Sequence, residues 1–414
     1  MKRIVIILAM ILTGSYLSSQ VTDWRGPNRQ GIFKETGLLK EWPENGPELV
    51  FEREGIGTGF SSPIVTSDAI YISGMKDSVD YLSAFDLDGN MLWQVPYGKS
   101  WTGSYPDTRS SPTIDGDRAY VLSGTGKISC LNTGDGSEIW SVEVDRDYES
   151  EWHVWGIAES PLVYKNMVYC TPGGSKTSMV AFDKMTGELI WMSESLPSQR
   201  SYISPVLYEL NGQTYILAAT ARYLMALIPE TGEIAWSFNY FEVQEWKSQP
   251  GLIWANSPVF KDDEIFISKG YNHPAVMLKV DTSGRSVNEK FIDKTFDNHH
   301  HGIVVVGEYA YGSNWQSNSK GKWICMDWET GEIKYEHDWV SKGSMVFADG
   351  MLYAYIERNG EVGLIRPNPD KFDLVSSFRI TKGSGPHWAH PFIKDGRMYL
   401  RHGDFLFVYN IKAE

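Results

Sequence analysis

Residues 159–195 read ESPLVYKNMVYCTPGGSKTSMVAFDKMTGELIWMSES, and this stretch decides the fold. It contains four short runs rich in aliphatic and aromatic residues, at 161–164, 167–171, 178–182 and 188–193. Turn residues separate the runs, and Gly187 stands where a tight turn requires a left-handed backbone. Four short strands joined by tight turns make one blade of a β-propeller, so this stretch predicts such a blade.

The same unit recurs eight times along the chain. Each copy begins at a Pro or aliphatic anchor and reaches an aromatic residue eight positions later, or ten in the fourth copy. Successive anchors lie 42 to 53 residues apart, a β-type period that indicates a propeller. The anchors are Pro63, Pro112, Pro161, Pro205, Pro258, Ile303, Met345 and Pro391. We therefore predict an all-β, eight-bladed β-propeller of four-stranded antiparallel blades.

A Trp follows the last turn in four of the units. These residues are Trp93, Trp140, Trp191 and Trp236. A large ring in the same phase of each outer strand can wedge against the next blade, and burying it contributes roughly 1.5–3 kcal/mol. We interpret these Trp residues as structural.

The eighth unit indicates how the ring closes. After a third run at 405–409 it lacks a fourth strand, whereas residues 47–54, before the first unit, have the pattern of an outer strand. We predict that this N-terminal strand completes the eighth blade, so that no sheet edge is left open there.

The first twenty residues have the pattern of a secretory signal peptide. Lys2 and Arg3 precede nine apolar residues, which are followed by small and polar ones. We predict a signal peptide at 1–20 and a single propeller domain at 21–414, exported to the periplasm or the extracellular space. No other segment is long and apolar enough to cross a bilayer, so we expect no membrane insertion.

The composition narrows the range of partners. The net charge is −14 and the isoelectric point is about 5.2. An acidic surface argues against nucleic acid and against anionic membranes as partners. We expect a monomer that binds a small molecule or an oligosaccharide.

The repeat Ala-x-Asp-x-x-Thr-Gly-x-x-x-Trp at 181–191 resembles that of the quinoprotein (PQQ) propellers. TDWRGPNRQGIF at 22–33 and WHVWGIAESPLV at 152–163 are similar to secreted bacterial members of this PQQ-like group. The group includes quinone-dependent alcohol dehydrogenases and a non-enzymatic lipoprotein of outer-membrane barrel assembly. The resemblance implies the fold. In a dehydrogenase it would imply calcium held by Glu159 and Asn256, with PQQ stacked on a Trp.

The segments just before the anchors are rich in reactive and aromatic side chains. If the innermost strands start at the anchors, these segments gather at one mouth of the central channel, where loops of a rigid scaffold commonly carry function. Six of the nine His residues lie in them. The segments are 98–111, 147–160, 196–204, 241–257, 294–302 and 381–390.

Two positions of the repeat sharpen the choice of candidates. One residue before the anchor, six units carry Ser and one carries Gly302, but the eighth carries His390, a departure that suggests function. Two residues before the anchor, three units carry ligand-type groups: Glu159, Asn256 and His301. We expect these three side chains to point into the same funnel.

Three functions remain open at this point: an acid/base enzyme or binding protein for glycans, a PQQ- and calcium-dependent dehydrogenase, and an envelope scaffold. Imidazoles suit proton transfer near neutral pH, Trp faces stack on sugar rings, and Arg side chains bind carboxylates bidentately. The candidate catalytic residues are His153, His301, His390 and Glu159. The candidate ligand-binding residues are Arg109, Trp152, Trp155, Arg200, Trp254, Asn256 and Trp388.

The run His299-His300-His301 raises the question of a metal. Consecutive residues on a strand point to opposite faces, so at most His299 and His301 would face one ion. Zinc would then need further ligands such as Glu159 or His390. We therefore predict a polar loop and no metal site.

Overall fold

Eight sheets, each built on four antiparallel strands, follow one another along the chain in the computed structural model, which describes residues 21–152, 154–243 and 253–413. Seven sheets have four strands and the seventh blade has a fifth. The prediction of an eight-bladed all-β propeller is confirmed. The predicted signal peptide lies outside the described residues. Within the described ranges, no helix is long and apolar enough to cross a membrane.

Two strands, β1 (Ile32–Phe33) and β2 (Glu48–Glu54), precede the first blade. Blades 1 to 4 comprise β3 (Ile64–Val65), β4 (Ile70–Lys76), β5 (Val79–Phe85), β6 (Met91–Lys99); β7 (Thr113–Asp115), β8 (Arg118–Leu122), β9 (Lys127–Asn132), β10 (Glu138–Glu143); β11 (Leu162–Tyr164), β12 (Met167–Cys170), β13 (Val180–Asp183), β14 (Leu189–Met192); and β15 (Val206–Leu210), β16 (Gln213–Ala219), β17 (Tyr223–Leu227), β18 (Ile234–Asn239).

Blades 5 to 8 comprise β19 (Val259–Lys261), β20 (Glu264–Ile267), β21 (Ala275–Val280), β22 (Val287–Asp293); β23 (Val304–Val306), β24 (Tyr309–Ser313), β25 (Trp323–Asp327), β26 (Ile333–His337); β27 (Gly343–Ala348), β28 (Met351–Ile356), β29 (Glu361–Arg366), β30 (Asp373–Arg379); and β31 (Phe392–Lys394), β32 (Arg397–His402), β33 (Phe405–Asn410). The short helices are Pro27–Arg29 and Tyr240–Glu242, both 3-10, and α1 (Val144–Asp147).

The strand register explains the interval between anchor and aromatic residue. In blade 1 the first strand begins one residue after Pro63, and Ile64 stands opposite Tyr71. In blade 3 Leu162 likewise pairs with Tyr169. Proline has no N–H for a sheet ladder, so it stays just outside the strand that it starts.

The phased Trp residues join successive blades, as predicted. The Nε1–H of Trp140 donates to the carbonyl of Lys184 in the next blade at 3.1 Å. Its ring packs against the turn glycine there, since a Cβ on Gly187 would lie 2.7 Å from the indole. Trp93 and Trp191 repeat this hydrogen bond, at 3.0 Å and 2.9 Å. Where the turn of the next blade is degraded, the Nε1 of Trp236 is buried without a partner in the described chain.

The N-terminal strand closes the ring as predicted. β2 pairs antiparallel with β33, so the eighth sheet runs in the order β2-β33-β32-β31. The sequence did not indicate that β1 adds a fifth strand to the seventh blade. β1 runs parallel to β27, with Ile32 opposite Phe347.

Residues 22–31 form a plug that crosses the channel, and Arg29 of this plug binds one side of the channel wall. The Arg29 guanidinium is 1% exposed and donates to three carbonyl oxygens of the inner strands. These belong to Ser160 at 2.9 Å, Pro161 at 2.6 Å and Pro205 at 2.9 Å. Its charge is balanced by Asp23 at 2.9 Å. One guanidinium therefore connects blades 3 and 4, and it shares the Pro161 carbonyl with the hydroxyl of Thr113, which donates to it at 2.6 Å.

Arg25 of the plug binds the opposite side of the channel. It donates to the carbonyls of Ile303 at 2.8 Å and Met345 at 3.2 Å, and to Nδ1 of His390 at 3.0 Å. Burial lowers the pKa of Arg25 to about 9. Gly302 faces this guanidinium so closely that any Cβ there would overlap it. This contact explains why the sixth unit has Gly where the other units have Ser or His.

The Ser that precedes the anchor in six units links neighbouring blades. From blade 1 to blade 5 the backbone N–H of one Ser donates to the hydroxyl of the Ser in the following blade, at 2.8 Å from Ser62 to Ser111 and 3.1 Å from Ser111 to Ser160. The chain of bonds continues to Ser204 and Ser257, at 2.9 Å and 3.3 Å. It reaches blade 1 from blade 8 through the N–H of His390, 2.9 Å from the Ser62 hydroxyl.

Candidate functional site

A cavity of about 530 Å³ opens at the end of the channel above the plug. All six segments singled out from the sequence contribute to its wall, so the prediction that they converge is confirmed. Trp24 of the plug contributes as well. The wall is rich in aromatic side chains, which are Trp24, Phe60, Tyr105, Trp155, Tyr202, Tyr271, Trp315 and Trp388.

One position of the repeat lines the cavity in every blade. The third residue before each anchor belongs to the wall, and we call this set the cavity ring: Phe60, Arg109, Ala158, Tyr202, Ala255, His300, Lys342 and Trp388. At this position blades 3 and 5 carry Ala, the smallest side chain of the set. Blades 2, 6 and 7 contribute Arg109, His300 and Lys342, which supply the polar groups.

The second residue before each anchor points elsewhere, and this changes the predicted site. Side chains alternate along an extended backbone, so neighbours of the cavity ring face into the spaces between blades. Glu159, Asn256 and His301 occupy this second position; they are 1%, 3% and 0% exposed and do not belong to the cavity wall. The expectation that all three point into the funnel is therefore wrong.

Glu159 is held in a buried ion pair beneath the wall. Its carboxylate accepts the N–H of Thr171 at 2.9 Å and lies 3.5 Å from the Arg200 guanidinium. Arg200 also binds Asp145, at 2.6 Å. Burial raises the pKa of Glu159 to about 7 although Arg200 opposes the shift. This network ties α1 to blade 3, and neither Glu159 nor Arg200 contacts the cavity.

Trp254 also fills a core site. It is 0% exposed, and its Nε1–H donates to the carbonyl of Asn256 at 3.1 Å. The Lys269 ammonium lies 5.0 Å from its ring, and burial lowers the pKa of that amine to about 7. Trp254 therefore stacks on a buried protein cation rather than on the cavity.

The other predicted residues divide into three groups. Arg109, Trp155, Trp388 and His390 line the cavity together. Trp152 packs against Trp101, with ring centroids 5.5 Å apart. His153 lies outside the described residues.

The calcium ligands implied by the quinoprotein resemblance do not fit the cavity. Calcium requires several converging oxygen ligands. The carboxylate of Glu159 is committed to Arg200 and Thr171, and Asn256 faces away from the cavity wall. The residues present therefore do not form the implied site for calcium and PQQ.

Glu357 and Lys342 of blade 7 were not found from the sequence. Glu357 directly follows β28 and Lys342 directly precedes β27; their side chains form an ion pair of 2.8 Å at the cavity wall. Burial alone would raise the pKa of Glu357, but the hydrogen bond from His301 and the charge of Lys342 lower it to about 2. The signal available in the sequence was the third position before the anchor, which Lys342 occupies.

His300 and His301 lie on a bend, and His299, just before them, is not in a strand either. The rings of His300 and His301 are 4.1 Å apart, so the expectation that only His299 and His301 face one site is wrong. Nε2 of His301 lies 2.7 Å from Glu357, and Nδ1 of His300 lies 2.9 Å from Nδ1 of His299. Burial lowers the pKa of all three imidazoles, which keeps them neutral.

His390 acts as an acceptor for the plug. A guanidinium only donates, so Nδ1 of His390 accepts from Arg25 and its Nε2–H donates to the carbonyl of His300 at 3.1 Å. Burial and the Arg25 charge hold its pKa well below the usual value. His390 thus replaces the usual Ser for a structural reason, the hydrogen bond to Arg25, and it also lines the cavity.

We expect His390→Ser to fold but to lower the free energy of unfolding by about 1–3 kcal/mol, because two buried hydrogen bonds are lost. Arg25 keeps its carbonyl partners, so the loss should stay partial. Urea unfolding followed by circular dichroism measures it, with the exposed His337→Ala as control. A variant as stable as the wild type would contradict the role of His390 in holding the plug.

The fold and its site define a class of protein: an eight-bladed propeller of PQQ-like repeats, plugged by its own N-terminal segment. Residues 76–337, more than half of the chain, match the family described as outer membrane protein assembly factor BamB. The protein belongs to this family.

Two curated relatives carry that same name. The chain is 23% identical over 180 residues to the factor of Alkalilimnicola ehrlichii, a match covering 42% of each chain. It is 26% identical over 224 residues to that of Kangiella koreensis, covering 53% of this chain and 50% of the relative. The chain thus spans half or less of the length of the curated relatives it matches.

Solved structures show the same fold at low identity. BamB from Moraxella catarrhalis superposes with a TM-score of 0.62 at 14% identity, covering 89% of this chain and 98% of that one. A europium-containing methanol dehydrogenase also gives 0.62, at 12% identity, covering 91% and 88%. An assembly factor and an enzyme therefore share this architecture, so the fold by itself does not determine the function.

Proposed function

We propose that this protein is an exported propeller that binds a small, flat, acidic organic ligand in the cavity. The observation that carries the proposal is the cavity ring: aromatic side chains and the Arg109 guanidinium converge on a cavity of about 530 Å³. Mostly apolar pockets of this size with a few polar groups are typical of small-molecule sites. None of the relatives named above is described as a carbohydrate-binding protein. We therefore infer the class of ligand from the chemistry of the cavity, which favours an aromatic acid over a sugar.

Arg109 supports an acidic ligand. Its guanidinium donates to two backbone carbonyls, of Asp107 and Tyr105, and forms no ion pair with any described residue. Burial lowers the pKa of Arg109 only to about 10, so the group is charged at neutral pH. Asp107 and Asp80 attract this half-buried cation, but neither forms an ion pair with it. Its guanidinium can therefore bind an anion from outside, because Arg binds carboxylates with strong, charge-assisted hydrogen bonds.

The rings support a flat ligand. Trp388 lies 4.6 Å from Phe60 and 5.7 Å from Tyr105, and Tyr105 lies 6.4 Å from Trp155, measured between ring centroids. This row of rings offers faces and edges on which an aromatic system can stack. Arg109 stands beside the row, 5.8 Å from the Phe60 centroid.

We expect anthracene-2-carboxylate, a flat aromatic acid, to bind with one-to-one stoichiometry. Arg109→Met should weaken its binding about 10-fold or more, because a charge-assisted hydrogen bond contributes roughly 1.5–3 kcal/mol. Trp388→Ala should weaken it as well. Isothermal titration calorimetry with chelator in the buffer measures both effects.

Two controls separate charge from stacking. Anthracene-2-carboxamide is neutral, so its affinity should fall with Trp388→Ala but not with Arg109→Met. Arg285→Met removes an outer-surface guanidinium and should change neither affinity, since Arg285 pairs with Glu233 away from the cavity. No saturable binding of the acid, or binding indifferent to both cavity variants, would refute the proposal.

A second candidate, a role in outer-membrane protein assembly, is favoured by the family and by one surface feature. The outer strand β14 exposes Leu189, Ile190 and Met192 to solvent, at 45%, 42% and 46%. Clustered exposed apolar side chains on an open strand edge are typical of protein contacts. Export, inferred from residues 1–20, suits either candidate.

One experiment distinguishes the two candidates. Under the assembly proposal, deleting the gene in its native bacterium lowers the amount of folded outer-membrane β-barrel proteins. A copy carrying Trp388→Ala should then restore them, whereas a copy carrying Ile190→Glu should not. Normal barrel levels in the deletion strain would exclude this second candidate, and rescue by both copies would exclude β14 as its contact surface.

A further inference from the structure

Three potential metal ligands meet where blades 6 and 7 contact the cavity. His300 and His301 come from the bend before β23, and Glu357 follows β28. One nitrogen from each imidazole and one carboxylate oxygen all lie within 4.8 Å of one another. The Glu357 oxygen is 2.7 Å from Nε2 of His301 and 3.9 Å from Nε2 of His300. Small side-chain shifts would bring all three within bonding distance of one ion.

His300 already has the arrangement of a metal-ligating imidazole. In such residues one ring nitrogen binds the ion and the other is fixed by an outer hydrogen bond. Nδ1 of His300 is fixed by His299 at 2.9 Å. Its Nε2 is buried and has no hydrogen-bond partner among the described residues. A buried ring nitrogen without a partner is costly, and a metal ion would satisfy it.

Glu357 is oriented in the same way. Its other carboxylate oxygen accepts from the Lys342 ammonium at 2.8 Å, and that ammonium is also fixed by the carbonyl of Asn318 at 2.9 Å. This leaves the oxygen beside His301 directed towards the two imidazoles. The ion pair also offsets the Lys342 charge, which would otherwise repel a cation.

We propose that His300, His301 and Glu357 bind one divalent transition-metal ion. Two imidazoles and one carboxylate are a donor set that suits Zn²⁺ and its neighbours, whereas Ca²⁺ and Mg²⁺ prefer oxygen ligands alone. When the ion binds Nε2 of the neutral His301, the ring proton that Nε2 donated to Glu357 moves to Nδ1, so the imidazole changes tautomer and no net proton is released. His300 and Glu357 belong to the cavity wall, so the remaining coordination positions face the cavity.

The test uses the purified mature chain, stripped with chelator and dialysed, with Co²⁺ and Zn²⁺ alone as probes. We expect one equivalent of Co²⁺ to bind and to give visible d–d absorption bands of a site with nitrogen and oxygen ligands. Zn²⁺ should displace it. His300→Ala and Glu357→Gln should each weaken Co²⁺ binding at least 10-fold, and His337→Ala, an exposed His of blade 6, should not.

Thermal melting in chelator checks that each variant is folded before titration. No saturable Co²⁺ binding by the wild type would overturn the proposal, as would wild-type affinity in folded His300→Ala. The metal titration contains no aromatic acid and the aromatic-acid titration contains chelator. Failure of one proposal therefore leaves the other measurable.

Discussion

Deletion of residues 21–54 is expected to abolish the cooperative unfolding transition of the propeller. The deletion removes β2, which leaves β33 as an unpaired outer edge, and β1, which pairs with β27. It also removes the plug and the buried side chains of Leu38 and Trp42. The inner-strand carbonyls that bind Arg25 and Arg29 would lose their partners, and each buried polar group left unsatisfied costs about 1–3 kcal/mol. Together with the lost strand pairing and core burial, these losses are comparable to the usual stability of a domain, about 5–15 kcal/mol.

Urea and thermal unfolding followed by near-ultraviolet circular dichroism measure this outcome. The control is Val50→Thr, a change at an exposed position of β2 that preserves the strand. It should retain one sharp transition. If the deleted chain kept a single cooperative transition and the native spectrum, the N-terminal segment would be an accessory to a ring that closes without it.

Arg29→Met is expected to lower the free energy of unfolding by about 3–5 kcal/mol, the range seen when one partner of a buried ion pair is removed. Met is an unbranched side chain of similar length to Arg, so the substitution mainly removes the hydrogen bonds and the charge of the guanidinium. Asp23 would keep its charge without a counter-ion, and the carbonyls of Ser160 and Pro205 would lose their donor, whereas Pro161 would keep the hydroxyl of Thr113. The effect should exceed that of His390→Ser, because Arg25 keeps most of its partners there.

The matched control for this variant is Arg285→Met. Arg285 and Glu233 form an ion pair in which both side chains are more than half exposed. Exposed pairs contribute about 0–1 kcal/mol, so the control should remain close to the wild type. Equal stability of the two variants in urea titrations would show that the plug does not hold the ring together.

The backbone of the plug is also strained, so the contacts of its arginines must hold it in this conformation. Arg25, Asn28 and Arg29 have positive φ angles of 61°, 53° and 58°. Left-handed conformations are disfavoured for residues with a Cβ and persist where surrounding contacts impose them. The guanidinium bonds to the inner strands supply those contacts.

The candidate site was predictable in part. The alternation of side chains along each segment before an anchor explains which residues were predicted correctly and which were not. The six converging segments could be identified because each precedes an anchor, and the anchors set the geometry of the ring. Arg109 and Trp388 are placed correctly on this ground. Glu159, Asn256 and His301 were selected one residue away from the cavity ring. With a side-chain period of two, a shift of one residue moves a side chain from the channel to the space between blades.

Contacts between distant segments were not predictable. Lys342 and Glu357 are fifteen residues apart and meet His301, 56 residues from Glu357, only because blades 6 and 7 are neighbours. His390 departs from the repeat because Arg25, 365 residues away, requires an acceptor. The sequence around one partner contains no pattern that indicates the position of the other partner.

The sequence by itself determined the number of blades, the strand order and the closure of the ring by β2. These follow from hydrophobic periodicity, turn chemistry and proline, which act over a few residues and repeat eight times. Only the tertiary structure decided that Glu159, Asn256 and His301 face away from the cavity, that Lys342 and Glu357 belong to its wall, and that the N-terminal segment fills the channel. Those outcomes depend on hydrogen bonds and ion pairs between residues far apart in sequence, whose energies exist only once the ring has brought them together.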